Sequence, residues 1–180
     1  MQVFIFLATG FEEIEAIATI DVLRRADVDV KIVSVTGEKL VSGAHNVAVQ
    51  ADALFETCDF SKGEMLILPG GMPGTTHLEA CQPLIELVKE YHKQGKYIAA
   101  ICAAPMIFGN LNLLQNKEAT CYPGFEKYLK GAVLSSQRAV RSGKIITAKG
   151  PGTAIEFALK IVETLKSKEL AAQLSEGMIC

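Results

Sequence analysis

One cysteine in this sequence lies where a buried strand would turn directly into a helix. Residues 97–101 form a short uncharged run with the length of a buried strand, and residues 103–114 have the length of a helix in which Pro105 is tolerated only in the first turn. Alanines stand two positions before and two positions after Cys102, and a sharp strand-to-helix turn requires small residues there. The pattern therefore predicts a nucleophile elbow with Cys102 at its apex.

Two interpretations of Cys102 follow from this position. A thiol at the first turn of a helix lies near free backbone N–H groups, such as that of Ala103, and their partial positive charge favours the thiolate. A cysteine in a run rich in alanine and isoleucine also packs well as a small hydrophobic residue without any reactivity. The spacing alone favours neither interpretation over the other.

Three carboxylates stand just after the first predicted strand, residues 2–7. The intervening Thr-Gly-Phe-Glu matches the Thr-x-x-Glu capping box, which predicts a helix over about residues 12–26. Stabilisation of the helix dipole explains two acidic residues in the first turn, which we take to be Glu12 and Glu13. Glu15 differs because apolar residues flank it, and a carboxyl group held among them is expected to be protonated at neutral pH.

Two adjacent glycines follow another predicted strand, residues 65–68. Gly70 and Gly71 indicate a close approach of the backbone to another group. Their surroundings, PGGMPG, lack the Gly-Lys-Ser/Thr ending and the Gly-x-Gly-x-x-Gly spacing of phosphate-binding loops. A nucleotide site is therefore not predicted here.

The three turns predict one shared pocket. In an open parallel sheet the carboxyl ends of the strands lie at the same edge, where ligands bind. In that pocket Cys102 would act as the nucleophile and Glu15 as an acid near its sulfur. The N–H groups of Gly71 and Ala103 would stabilise an oxyanion.

The composition suits one globular domain spanning residues 1–180. Hydrophobic residues make up 49% of the 180-residue chain, which is enough to bury a large core. The net charge is −2 and the 18 basic residues are scattered, so nucleic-acid binding has no electrostatic support. The apolar N-terminus carries no Lys or Arg, and no uncharged stretch approaches the ~20 residues of a membrane span. We therefore expect neither a signal peptide nor a membrane segment.

The cysteines form an odd set without a metal-binding pattern. They contain no Cys-x-x-Cys motif and no His/Cys pair at zinc spacing. We expect free thiols in a reducing cytoplasm and no metal site. The five residues are Cys58, Cys81, Cys102, Cys121 and Cys180.

The remaining pattern predicts alternating strands and helices. A hairpin near residues 37–49 contains His45, which we interpret as a solvated loop residue. A second capping box predicts one helix from Thr76 to about Gln94. The other predicted elements are strands at 29–35 and 119–122, a hairpin pairing 139–141 with 145–147, a tight loop at 150–152, a short helix at 124–129, and helices at 153–165, with Thr153 as cap, and 169–175.

Four sequence blocks together resemble the ThiJ/PfpI superfamily, and within it the deglycase- and glyoxalase-like branch of the Parkinson disease protein. The blocks begin at Gly10 (GFEEIEA), Leu68 (LPGG), Ala99 (AAICAAP) and Gly150 (GPGTAIEFA), and they occur in order along nearly the whole chain. The resemblance implies an α/β, flavodoxin-like three-layer sandwich with a mostly parallel central sheet and a cysteine nucleophile elbow. It also implies a homodimer.

The resemblance also assigns roles to residues. It implies that Cys102 is sensitive to oxidation and that a protonated Glu15 contacts its sulfur. We expect the pocket to include Gly70, Cys121, Tyr122, Gly150 and Pro151.

One position departs from the glyoxalase-active relatives. Tyr122 stands where those relatives place a histidine, and a tyrosine, with a reference pKa near ~10, is a poor general base at neutral pH. Two other histidines could substitute for it. His45 lies where relatives often have a basic residue near the dimer interface, and His77 is predicted in the first helical turn beside the glycines.

Two functions therefore stay open. The first is a cofactor-free enzyme in which the Cys102 thiolate attacks a small dicarbonyl such as methylglyoxal, or its early adducts, with low activity because Tyr122 replaces histidine. The second is a redox-sensing stress protein or chaperone in which Cys102 is oxidised to sulfenic or sulfinic acid. In that case Cys121, if close, could trap the sulfenic acid as a disulfide.

Overall fold

A seven-stranded sheet forms the centre of the protein in this computed structural model, which describes residues 2–180. Two small two-stranded sheets accompany it. The strands are β1 (Gln2–Leu7), β2 (Asp29–Ser34), β3 (Leu40–Ser42), β4 (Ala48–Gln50), β5 (Ala53–Leu54), β6 (Gly63–Leu68), β7 (Tyr97–Ile101), β8 (Glu118–Ala119), β9 (Val133–Leu134), β10 (Ala139–Ser142) and β11 (Ile145–Ala148). The helices are α1 (Glu13–Arg25), α2 (Gly74–Ala80), α3 (Gln82–Lys93), α4 (Pro105–Asn110), α5 (Ala154–Leu165) and α6 (Lys168–Gly177).

The strand order of the central sheet is β10-β11-β7-β6-β1-β2-β5. Its neighbouring strands pair in parallel, apart from the antiparallel hairpin of β10 and β11 at one edge. The middle strands are almost entirely buried because helices cover both faces, as their continuous apolar sequences predict. Helices α1, α5 and α6 pack on one face and α2, α3 and α4 on the other, so the predicted three-layer α/β sandwich is confirmed.

The three strands that carry the candidate site are adjacent. β1 lies beside β6, and β6 lies beside β7, all in parallel. Their carboxyl ends are therefore neighbours at one edge of the sheet, as open parallel sheets require. The prediction that the three turns meet at this edge is confirmed.

Helix α1 begins differently from the prediction. The N-cap is Glu12, not Thr9, and its carboxylate Oε2 accepts a hydrogen bond of 2.7 Å from the backbone N–H of Glu15. Thr9 is held back in a tight loop because the N–H of the next residue, Gly10, bonds to the carbonyl of Ser42. The capping-box interpretation of Thr9 was therefore wrong, although the helix itself is confirmed.

The predicted single helix from Thr76 to Gln94 is two helices. Cys81, with ψ of 88°, separates α2 from α3. Pro83 lies in the first turn of α3, and a proline there would clash with a carbonyl four residues earlier if the helix ran on. Thr76 is not the cap either, since α2 begins at Gly74 after Pro73.

Other boundaries also differ. The helix predicted over residues 103–114 is the shorter α4, and the strand predicted over 119–122 is the two-residue β8. The predicted helix over 124–129 is a single 3-10 turn. Thr153 precedes α5 as predicted, but its hydroxyl bonds to Gly150 and does not cap the helix. The two predicted hairpins, β3 with β4 and β10 with β11, are confirmed.

Candidate active site

Cys102 occupies a strained turn directly after β7. Its φ of 65° is in the left-handed region, which a non-glycine residue rarely adopts outside turns and functional sites. Its N–H bonds to the carbonyl of Ala148 at 3.0 Å, and its carbonyl accepts the N–H of Tyr122 at 2.8 Å. Two distant chain segments therefore hold the backbone of Cys102 in this conformation, and the side chain remains only 8% exposed.

Glu15 is fully buried next to this cysteine. It is 0% exposed, and its Oε2 accepts a hydrogen bond of 2.7 Å from the N–H of Gly70. The other oxygen, Oε1, has no N–H or O–H partner among residues 2–180. The carboxyl group and the thiol of Cys102 hydrogen-bond to each other. The structure thus brings together the two residues that the sequence singled out.

Both groups of the Glu15–Cys102 pair have raised pKa values because both are buried. Burial raises the pKa of Glu15 to about 7, although the hydrogen bonds from Cys102 and Gly70 act in the opposite direction. Burial raises the pKa of the Cys102 thiol to about 12, and the charge of an ionised Glu15 raises it further. The pair therefore loses its first proton near neutral pH and its second only in strong alkali.

The backbone N–H groups around the sulfur oppose this effect. Those of Gly71 and Ala103 hydrogen-bond to Cys102 and lower its thiol pKa. When Glu15 is protonated, its charge no longer disfavours the thiolate, and these N–H groups act against burial alone. The expectation that the helix start lowers the thiol pKa of Cys102 therefore does not hold in this protein, because burial, and after it the charge of Glu15, outweighs the N–H groups.

Gly70 is the residue that lets the strand ends approach so closely. A Cβ at Gly70 would lie 2.6 Å from the Cβ of Cys102 and 2.8 Å from Oε2 of Glu15. Gly71 adopts φ of 90°, which directs its N–H toward the sulfur, and a Cβ there would overlap the backbone around Glu12. The close approach predicted from the two glycines is therefore present.

Gly150 and Tyr122 line the exposed side of the sulfur. A Cβ at Gly150 would lie 4.0 Å from Sγ of Cys102 and 3.0 Å from Cδ2 of Tyr122. The tyrosine ring is half exposed, and Pro151 follows as part of an apolar cavity of about 600 Å³ toward the C-terminus. The neighbours of this sulfur thus include a glycine and the tyrosine that stands in place of the histidine.

Cys121 is buried in a different environment. It packs with the hydrophobic cluster on the α3 and α4 face of the sheet, whereas Cys102 packs with the cluster on the other face. Burial and the charge of Glu126 raise the pKa of Cys121 to about 12. Cys121 therefore adds no group to the sulfur of Cys102, and the expected trapping disulfide has no support from this arrangement.

Glu13 is a buried, hydrogen-bonded carboxylate, although its sequence position predicted only stabilisation of the helix dipole. It is 6% exposed, and its Oε1 accepts the N–H of His45 at 2.6 Å, while Oε2 pairs with Nδ1 of His45 at 2.8 Å. Gly43 was the sequence signal for this close contact, since a Cβ there would overlap the Glu13 carboxyl group. His45 is thus exposed, as expected, but it is also ion-paired. His77 bonds through Nδ1 to the carbonyl of Thr9 at 2.8 Å.

One group of potential metal ligands occurs within residues 2–180. Ligand atoms of Glu12, Glu13 and His45 lie within 4.8 Å of one another. Each carboxylate already accepts internal hydrogen bonds, Glu12 from the N–H of Glu15 and Glu13 from His45. Since these bonds satisfy the group, we assign no metal to it.

Comparison with known proteins identifies the family to which this chain belongs. A profile of the DJ-1/PfpI family matches residues 1–164. The chain belongs to this family. A solved structure, "Toxoplasma gondii DJ-1, oxidized", superposes with a TM-score of 0.95 at 37% identity and covers 99% of this chain and 97% of its own. The flavodoxin-like fold of the DJ-1/PfpI family is therefore confirmed.

Two curated DJ-1 relatives extend this comparison. The chain is 41% identical over 180 residues to "Protein DJ-1 homolog B" of Arabidopsis thaliana, covering 99% of this chain but only 41% of that protein, so it spans less than half of that relative. It is 36% identical over 159 residues to the "Glutathione-independent glyoxalase DJR-1.2" of Caenorhabditis elegans, covering 88% of this chain and 84% of that protein. Within residues 2–180, no helix is long and apolar enough to cross a membrane.

Proposed function

We propose that this protein is a cysteine-dependent, cofactor-free enzyme that converts methylglyoxal, or its early amino-group adducts, to lactate. The observation that carries the proposal is the buried Glu15, with a pKa near 7, hydrogen-bonded to Cys102 in a left-handed elbow. A carboxyl group of this kind can hold or release a proton at neutral pH, as a general acid–base catalyst requires. The glyoxalase from Caenorhabditis elegans supports the reaction class.

The proposed reaction begins when the ionised Glu15 takes the proton of the Cys102 thiol, which leaves Glu15 protonated and the attacking sulfur as a thiolate. The sulfur attacks the aldehyde carbon, the N–H groups of Gly71 and Ala103 stabilise the developing alkoxide, and this oxygen then takes the proton from Glu15 to give a hemithioacetal. The Glu15 carboxylate then removes the proton from the former aldehyde carbon to give an enediol and returns it to the neighbouring carbon, while the hydroxyl proton passes from the first oxygen to the second, so that a lactoyl thioester with an alcohol group forms. Water hydrolyses the resulting lactoyl thioester, breaks the C–S bond and frees the thiol.

Tyr122 sets the expected rate. Its position beside the sulfur gives the site an aromatic ring but no imidazole base, so Glu15 must carry every proton transfer. We therefore expect slow turnover and consumption of methylglyoxal without added glutathione or metal.

A lactate assay tests this proposal. Cys102→Ser should reduce lactate formation from methylglyoxal at least about a hundredfold, because a hydroxyl is not ionised at neutral pH. Cys121→Ser is the matched control, since Cys121 is equally buried but lies in the other hydrophobic cluster, and it should retain most of the activity. A wild-type rate no greater than that of Cys102→Ser would disprove the enzyme.

A second candidate function, a redox-sensing stress protein or chaperone, is favoured by the same N–H groups. Those of Gly71 and Ala103 point at the sulfur and would hydrogen-bond the oxygens of a sulfenate or sulfinate. After mild peroxide treatment, mass spectrometry should find a gain of about 32 Da on Cys102 before other cysteines are modified. Earlier modification of Cys58 or Cys180 would count against this function.

We also propose that the protein is a homodimer in the cytoplasm and that each subunit consists of one domain. Ile14 and Ile17 of α1 are 58% and 43% exposed, and Val47 beside them is 50% exposed. Together with Ala18, these residues form a contiguous apolar face that a monomer would expose to solvent. We call this the α1 face. All five cysteines are free, which supports a reducing compartment.

A further inference from the structure

The ion pair of Glu13 and His45 lies at the rim of the α1 face. Glu13 and Val47 line the same apolar depression of about 400 Å³ as Ile14 and Ile17. Glu13 belongs to the first turn of α1, and His45 and Val47 belong to the loop between β3 and β4. The pair therefore joins the two elements that build the face.

The loop is attached to α1 mainly through the Glu13 carboxylate. Oε1 accepts the N–H groups of His45 at 2.6 Å and Val47 at 3.4 Å, and Oε2 meets Nδ1 of His45 at 2.8 Å. One further backbone bond, from Ala44 to Phe11 at 2.8 Å, holds the loop nearby. The carboxylate is buried while the imidazole is 71% exposed, so protons reach the histidine without unfolding.

We propose that this ion pair is a pH-dependent lock on the homodimer, in which association through the α1 face is strong while His45 is protonated and weak when it is neutral. The inference rests on the homodimer of the proposed function. A two-fold dimer presents the same face from both copies, so it brings two buried Glu13 carboxylates into one interface. Each then needs a cation beside it, because an unpaired charge buried in an interface is costly.

The neighbouring charges fix the direction of the effect. The hydrogen bond and charge of Glu13 raise the pKa of His45, and the charge of Glu12 raises it further. Despite burial, the hydrogen bonds from His45 hold the pKa of Glu13 below its usual value. The other charged residue in the depression, Asp21, is paired with Arg25 at 2.6 Å. The pair is thus charged between the two pKa values, and its contribution is lost as pH rises through that of His45.

Sedimentation equilibrium on the full-length protein tests the lock at constant ionic strength. The dimer dissociation constant should be at least about fivefold lower at about pH 6 than at about pH 8.5. His45→Gln should give a weaker dimer without this pH dependence, and His45→Arg should give a tight dimer at both pH values. His77→Gln is the matched control and should keep the wild-type profile, because the His77 imidazole bonds to the carbonyl of Thr9 and lies outside the Glu13–His45 pair.

The possible outcomes distinguish the proposed homodimer from the proposed pH-dependent lock. A monomer at every pH would overturn the dimer and the lock together. A stable dimer whose dissociation constant changes less than about twofold, or changes equally in His45→Gln, would overturn the lock alone. Enzymatic activity is a separate readout, since neither Glu13 nor His45 contacts Cys102.

Discussion

Cys102 and Cys121 are two buried cysteines with similar exposure and different surroundings. They are 8% and 4% exposed, and burial raises the thiol pKa of both to about 12. Cys102 has a left-handed backbone, two N–H donors and the protonatable Glu15, whereas the charged neighbour of Cys121 is Glu126. The comparison teaches that two thiols with the same raised pKa can differ in their neighbours, and the proposed reactivity of Cys102 depends on the carboxyl group and the N–H donors beside its sulfur.

The largest expected contrast is in alkylation. At neutral pH, iodoacetamide should modify Cys102 at least about tenfold faster than Cys121, because Glu15 can take the proton of the Cys102 thiol, whereas Glu126 only raises the thiol pKa of Cys121. A time course of peptide mass spectrometry on the native protein measures both rates at once.

Variants of Glu15 and Glu126 show whether the neighbouring carboxyl group causes the difference in alkylation rate between Cys102 and Cys121. Glu15→Leu removes the hydrogen bond to sulfur and should slow Cys102 toward the rate of Cys121, while Glu15→Gln should keep part of the effect. Glu126→Gln should leave Cys121 slow, since burial is the main cause of its raised pKa. Equal rates at Cys102 and Cys121 in the wild type would remove the nucleophile role.

The next effect is on stability. The pKa of Glu15 is about 7 in the folded protein against 4.5 for the free group, so the folded state binds its proton more tightly. The free energy of unfolding should therefore fall by about 3 kcal/mol as pH rises from 4.5 through 7. Urea titrations of wild type and Glu15→Gln at several pH values measure this, and the variant should lack that part of the slope. Parallel curves would show that Glu15 ionises freely.

The smallest effect is on packing at the site. Gly70→Ala places a methyl group 2.6 Å from the Cβ of Cys102 and should cost about 1–3 kcal/mol while separating the thiol from Glu15. Gly152→Ala is the control, because a Cβ there meets no atom within 4 Å, and it should change stability by less than ~0.5 kcal/mol. Thermal unfolding and lactate formation give the two readouts. An active Gly70→Ala would show that the close approach is unnecessary.

The sequence predicted the parts of the structure that depend on local pattern. Continuous apolar runs such as β1 and β7 were correctly placed, since a strand buried on both faces cannot carry polar residues. The small residues around Cys102 predicted the elbow, and the apolar neighbours of Glu15 predicted its burial. These signals are short-range, so they could be read without knowing the rest of the fold.

Other parts of the structure depended on contacts between distant segments. Thr9 had the sequence of a cap, but its neighbour bonds to Ser42 in the β3–β4 hairpin, and Glu12 took its place. Glu13 looked like an ordinary first-turn acid because its partner, His45, comes from another element. Cys121 lies one residue before Tyr122, yet its side chain enters the opposite hydrophobic cluster. The roles of such residues can be assigned only when the distant segments that contact them are known.

The backbone bonds of Cys102 also determine how the elbow moves. Its N–H is held by Ala148 at the end of β11, and its carbonyl by Tyr122, so the turn cannot open unless the centre of the sheet separates. Amide hydrogen exchange at Cys102 should therefore proceed only through global unfolding, as it does for the most protected core strands. Cys102 is thus expected to belong to the slowest-exchanging part of the molecule, so the proposed chemistry at its sulfur would take place on a rigid backbone.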